Sequence, residues 1–103
     1  KTLYRAVEKL FNTASSLNYN GMLFKEDKTY DCEHSRIEHR FYRFLPIIYL
    51  PQFQKSWRGL QTIIEVRSFR DDNDGNQSAT VRYFISSISL NKFQLIHQAI
   101  REH

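Results

Sequence analysis

The sequence is poor in the residues that staple, break or anchor a chain. A single cysteine, Cys32, excludes an internal disulfide and leaves no Cys-x-x-Cys pair on which to build a zinc site. No apolar run reaches the length of a membrane span and no signal-peptide pattern is present, so a reducing, cytoplasmic setting is expected. Proline occurs only at Pro46 and Pro51 and glycine only at Gly21, Gly59 and Gly75, which leaves the run from His34 to Phe44 free of both. An initiator methionine is also missing. With Lys1 first and an apolar period still running at His103, the sequence reads as a piece of something longer.

What is present is a globular composition. The 103 residues are 41% hydrophobic and 15% aromatic, enough for one domain that buries about 60–65% of its unfolded surface. The net charge of +4 is unevenly placed: between Arg36 and Arg70 seven lysines and arginines stand against two acids, Glu38 and Glu65. Such a window suits a nucleic-acid face, although ordinary soluble domains carry basic windows too.

The run His34-Ser35-Arg36-Ile37-Glu38-His39-Arg40, continuing into Phe41-Tyr42-Arg43-Phe44, interleaves charged and apolar residues as a strand with one wet and one packed face does. On a period of two, Arg36, Glu38, Arg40 and Tyr42 share one face, and Ile37, His39, Phe41 and Arg43 the other. One reading is a solvated strand with Glu38 paired between Arg36 and Arg40. The other is a strip that contacts phosphates.

Around this strand the periodicity gives an α+β unit dominated by antiparallel pairing. Leu3, Val7, Leu10, Phe11, Ala14 and Leu17 predict an amphipathic helix over 2–17, with Thr2 as N-cap and Asn18, Asn20 and Gly21 ending it. Met22 to Phe24 reads as a short strand or packed turn, and Lys25 to Glu33 as a mixed-charge loop. A β-rich stretch is expected over about 34–88, in which residues 60–69 and 79–85 alternate on either side of a polar loop as a hairpin. Between the prolines, Leu45 to Pro51 reads as an edge or packed connection. A final helix is expected over 90–103, with Phe93, Leu95, Ile96, Ala99 and Ile100 as its stripe.

Four features carry residue types suited to chemistry or recognition. Cys32, His34 and His39 are zinc-ligand types, but a closed site needs four, and His97 and His103 lie far off in the predicted helix. Nothing in the sequence supplies a base and orienting group to activate Cys32. Asp72, Asp74, Asn76 and Ser78 alternate like a calcium loop, yet Gly75 falls at the fourth position and Tyr83 at the twelfth, so a solvated turn is expected. Trp57 reads as a core anchor, with stacking on a nucleobase as the alternative.

Five motifs, in order along the chain, resemble the ISAs-group, H-repeat-associated DDE insertion-sequence transposases of bacteria. They are Lys1-Thr2-Leu3-Tyr4, His34-x-Arg36-Ile37-Glu38-x-Arg40, Trp57-Arg58-Gly59-Leu60, Arg82-Tyr83-Phe84-Ile85-Ser86-Ser87 and Ala99-Ile100-Arg101-Glu102-His103. Ser35 stands where the family usually has Gly, and His39 where it usually has Thr.

The resemblance implies the β-rich insertion of an RNase H-like domain, between the second catalytic aspartate and the catalytic glutamate. All three carboxylates would then lie outside this chain, the glutamate a few residues beyond His103. The full-length parent would use Mg²⁺ to cleave and transfer DNA strands; this chain holds no cofactor and no catalytic residue by that reading, and is expected to be inactive alone. DNA at the transposon ends is the implied partner, with a homo-oligomer open for the parent. Arg36, Arg40, Arg43, Lys55 and Arg58 are the expected DNA contacts, supported by His34, Glu38 and Trp57. A stand-alone nucleic-acid-binding module and a protein-interaction domain built on the aromatics are the competing readings.

Overall fold

A computed structural model describes residues 2–33, 36–72 and 75–101, with the side chains of Thr2 and Glu33 outside the description. The chain forms α1 (Thr2–Ser16), β1 (Lys25–Glu33), β2 (Arg36–Pro46), a 3₁₀ turn (Ile47–Tyr49), α2 (Pro51–Ser56), β3 (Thr62–Asp71), β4 (Gln77–Ser86), a second 3₁₀ turn (Leu90–Lys92) and α3 (Phe93–Arg101). The strands make one antiparallel sheet in the order β1-β2-β3-β4. The expected α+β architecture is therefore present, as a meander with α1 on one face and α3 on the other.

Apolar spacing explains both helix seats. Leu3, Val7, Phe11 and Ala14 recur on one stripe of α1 and bury against Leu45 and Ile63. Leu90, Ile96 and the half-buried Phe93 and Ile100 bury against Tyr42, Phe44, Ile64 and Val66 on the opposite face. Each fully buried side chain of this size stabilises the fold by roughly 1.5–3 kcal/mol. Thr62, itself buried, donates its hydroxyl to the Ile88 carbonyl at 2.7 Å and ties β3 to the connection that leads into α3.

Three elements differ from the expectations. The Lys25–Glu33 segment is a strand rather than a loop, paired along its whole length with β2 from Lys25↔Phe44 to Glu33↔Arg36. It is an edge strand, where charged side chains are tolerated because one flank and much of each face meet water. The α1 helix stops at Ser16, and Leu17 is 56% exposed, because Asn18 and Tyr19 turn the chain at φ of 54° and 57°. Tyr19 accepts that conformation while buried against Phe24. Trp57, expected in the core, is 46% exposed at the end of α2, a helix with no buried residue; Leu50 and Leu60 fill the apolar seats beside it.

The division of β2 into wet and packed runs along the strand, not across it. From Tyr42 to Pro46 nearly every side chain is buried on both faces, while from Arg36 to Phe41 both faces are partly or fully exposed. β3 shows the same change after Val66. The helices thus cover one end of the sheet, and the other end projects from a molecule 47 Å long and 28 × 27 Å across. The tip between β3 and β4 is a polar turn in which Asp72 Oδ1 accepts from the Asn76 amide at 2.9 Å; residues 73 and 74 lie outside the description.

Candidate nucleic-acid interface

On the α3 side of the projecting sheet the alternation of three strands brings Arg36, Glu38 and Arg40 of β2 beside Ser68 and Arg70 of β3 and Ser78, Thr80 and Arg82 of β4. All of these but Arg36 floor a groove of about 310 Å³ whose inner end is closed by Tyr42, Val66, Phe84 and Ile100. A second hollow of about 210 Å³ continues past Arg70 to Arg36 and the polar tip.

Glu38 is the hinge of the groove. Its Oε2 accepts from Arg40 Nε at 3.0 Å and from Arg70 Nε at 3.3 Å. Burial pushes the Glu38 carboxyl up, but the Arg40 and Arg70 guanidiniums outweigh it and hold the group below the ordinary carboxylate range. The glutamate is indeed held between two arginines, as expected; the second, however, is Arg70 and not Arg36. The reason is register: Glu38 and Arg70 are direct partners across β2 and β3, about 5 Å apart, whereas Arg36 stands roughly 7 Å away along its own strand.

One carboxylate cannot satisfy two guanidiniums, each with five donors. Arg36 and Arg82 take part in no ion pair among the described residues. Asp31 follows on the same face of β1, opposite Glu38. The floor therefore offers planar donor groups in excess of its carboxylates, with hydroxyls between them, which is the chemistry that grips phosphate oxygens. It does not fit a divalent cation: Glu38, the one carboxylate lining the larger groove, is taken by two arginines.

The other expected contacts do not join this groove. Arg43 faces the α1 side, paired with Glu26 at 3.0 Å and lying 4.7 Å from the Tyr19 ring centre. Lys55 in α2 and Arg58 in the turn after it follow the Pro46 end of β2, the end opposite Arg36, and neither lines the groove. Trp57 is with them, and His34 falls outside the described residues. Of the arginines that sequence reasoning did not assign to DNA, Arg70 stands one step past the alternation of β3 and Arg82 lies within that of β4, but only the register shows that they share a groove with Arg40.

The α1 face carries a second ion-paired set. Glu65, 1% exposed, accepts from Arg67 Nε at 3.0 Å and Nη2 at 3.2 Å, and the Tyr83 hydroxyl stands 3.5 Å from its Oε2. Burial, with Glu65 beside them, pushes the phenols of both Tyr19 and Tyr83 up to about 12.

No protein-family model, curated protein or solved structure was found to match the chain. Among the described residues no helix is long and apolar enough to cross a membrane.

Proposed function

We propose that this chain is a DNA-contacting part of a DDE-type insertion-sequence transposase, supplying grip rather than chemistry. The observation that carries the DNA reading is the groove in which Glu38 sets the guanidiniums of Arg40 and Arg70 side by side with Arg36 and Arg82 nearby. The transposase reading rests on the five ordered motifs, three of which contribute to this one groove: Glu38 and Arg40 of the second, Arg82 and Phe84 of the fourth and Ile100 of the fifth. By the same resemblance the catalytic glutamate would follow the last helix, whose Ile100 closes the inner end of the groove. Bound DNA would then lie beside the metal-holding carboxylates of the parent.

Phosphate contacts make binding salt-dependent, each adding about 0.9 to the slope of log affinity against log salt. Replacing Arg40 and Arg70 by Ala should lower that slope for duplex DNA by roughly 2. An unchanged slope overturns the groove as a DNA contact. The parent enzyme is tested separately, by reading the flanking genomic frame for two upstream aspartates and a Trp-x-Ile-Glu continuation after His103.

A further inference from the structure

The larger arginine groove is blind at one end. On its face of the sheet α3 packs Ile96 and the half-buried Ile100 against Tyr42 and Val66, so a strand of nucleotides laid inward from the polar tip meets the helix there. The ways out across the sheet are unequal. β1 sets Asp31 opposite Glu38, whereas β4 carries no acid and contributes Ser78, Thr80 and Arg82. The space of about 310 Å³ is at the lower end of the range for small-ligand sites.

Within it the donors converge. Glu38 Oε2 accepts from Nε of both Arg40 and Arg70, which brings the two guanidiniums within about two hydrogen-bond lengths of each other and leaves their Nη groups outside that bond. Tyr42, a hydrogen-bond partner of Arg40, steadies it from the inner end. Arg82 lines the same groove and takes part in no ion pair among the described residues. Three guanidiniums thus face one carboxylate. The hollow at the tip has no such surplus, because Asp71 and Asp72 line it beside Arg36 and Arg70.

On the DNA reading given above, we propose that this groove captures the phosphorylated end of a DNA strand. The terminal phosphate is bridged by the Nη groups of Arg40 and Arg70, and the nucleotides behind it leave over β4 past Arg82. A terminal phosphate has three free oxygens and a charge of about −1.5 to −2 at pH 7, which two facing guanidinium forks match. A phosphate inside a strand has fewer free oxygens and half that charge or little more. It must also continue on both sides, and the wall made by Tyr42, Val66, Phe84 and Ile100 stops one of them.

The test uses the 103-residue chain and labelled duplexes of one sequence and length that end in 5′-phosphates, in 3′-phosphates or in hydroxyls only. A phosphorylated end should bind at least about fivefold more tightly than the hydroxyl end. Whichever phosphate is preferred gives the polarity of the bound strand, and either supports the site. R40A/R70A should erase the preference, and so should R40K/R70K, which keeps both charges but loses the two-pronged donors. K28A, on the opposite face of the sheet, should leave it unchanged. Equal binding of the three duplexes, with a salt slope that R40A/R70A still lowers, overturns end capture while the groove stays a contact for internal phosphates. Binding of none of them overturns the DNA reading as well. A preference that survives in R40K/R70K overturns the proposal, because charge alone then explains it. So does a free nucleoside 5′-monophosphate that binds as tightly as the phosphorylated duplex, because the strand then adds nothing.

Discussion

The Nδ1 atom of His97 stands 2.6 Å from Oδ2 of Asp27, joining α3 to the edge strand across 70 positions of sequence. A carboxylate can only accept, so Nδ1–H is the donor, and the imidazole lies 4.2 Å from the Tyr42 ring at the inner end of the arginine face. The Nε2 atom is buried with no hydrogen-bond partner among the described residues. The pair therefore locates α3 on the sheet with one strong bond and one unsatisfied atom.

Asp27→Ala should cost about 1–3 kcal/mol, because it leaves both imidazole nitrogens buried without partners. Adding His97→Leu removes the orphaned polar atoms and should recover part of that loss. Urea denaturation of the two single variants and the double variant gives the coupling. Additive losses would show that the contact does not hold the helix.

Glu38→Gln separates charge from shape in the groove. The wild-type carboxyl titrates below the ordinary value of 4.5 because Arg40 and Arg70 prefer it ionised, overcoming the opposing effect of burial. A lowered folded value means stability that is present above 4.5 and is lost as pH falls through the folded value. The wild type should lead the Gln variant at neutral pH by no more than about 1 kcal/mol, since the arginines are partly solvated. That lead should vanish in acid, as followed by denaturation at stepped pH. At neutral pH the variant should bind duplex DNA more tightly at low salt, with one negative charge fewer in the groove.

The alkaline side is governed by Tyr19 and Tyr83. Both phenols are pushed up to about 12 by burial and by Glu65, from an ordinary 10. A raised folded value gives stability fully present below pH 10 and lost as pH rises towards 12. A titration followed by tyrosinate absorbance should show two phenols ionising late and together with unfolding. Tyr83→Phe should remove one of the two; two late steps in that variant would mean that the shift belongs elsewhere.

Glu65→Ala should be among the most damaging single changes, at roughly 2–4 kcal/mol, because it strands Arg67 beside a buried cavity under α1. Glu65→Leu combined with Arg67→Leu should recover much of the loss by replacing the pair with apolar volume. Thermal melts of the three variants check the ranking.

The legible and illegible parts of this fold divide along physical lines. The stripe of α1 and the alternation of β2, β3 and β4 follow from apolar spacing, and the assignment of Arg36, Glu38 and Arg40 to one face holds. β1 was illegible because Lys25-Glu26-Asp27-Lys28 carries no apolar alternation; its strand state comes from pairing with β2, a tertiary effect. The groove needs register as well as alternation. A slip of one residue between β2 and β3 would move Arg70 to the opposite face from Glu38, and no local pattern in residues 60–69 fixes that register. The position of Trp57 is illegible for a similar reason: its spacing before Gly59 suits a core anchor, yet the short α2 sends only Phe53, half-buried, to the core and leaves Trp57 exposed.

The length of the molecule makes the last prediction. Arg36 and the pair Lys55 and Arg58 lie towards opposite ends of β2, whose eleven residues span roughly 33 Å, about ten base pairs of duplex. Sites that far apart share no partners, so their effects on DNA binding should add. With a duplex of about twenty base pairs, the Arg36→Ala/Arg40→Ala and Lys55→Ala/Arg58→Ala variants should each lower the salt slope, and the combined variant should lower it by the sum. With a duplex of about eight base pairs, which can occupy only one end, the combined loss should be smaller than the sum. If the Lys55 and Arg58 variant leaves the slope unchanged on the longer duplex, DNA contact is confined to the arginine end and the Trp57 turn is free for another role.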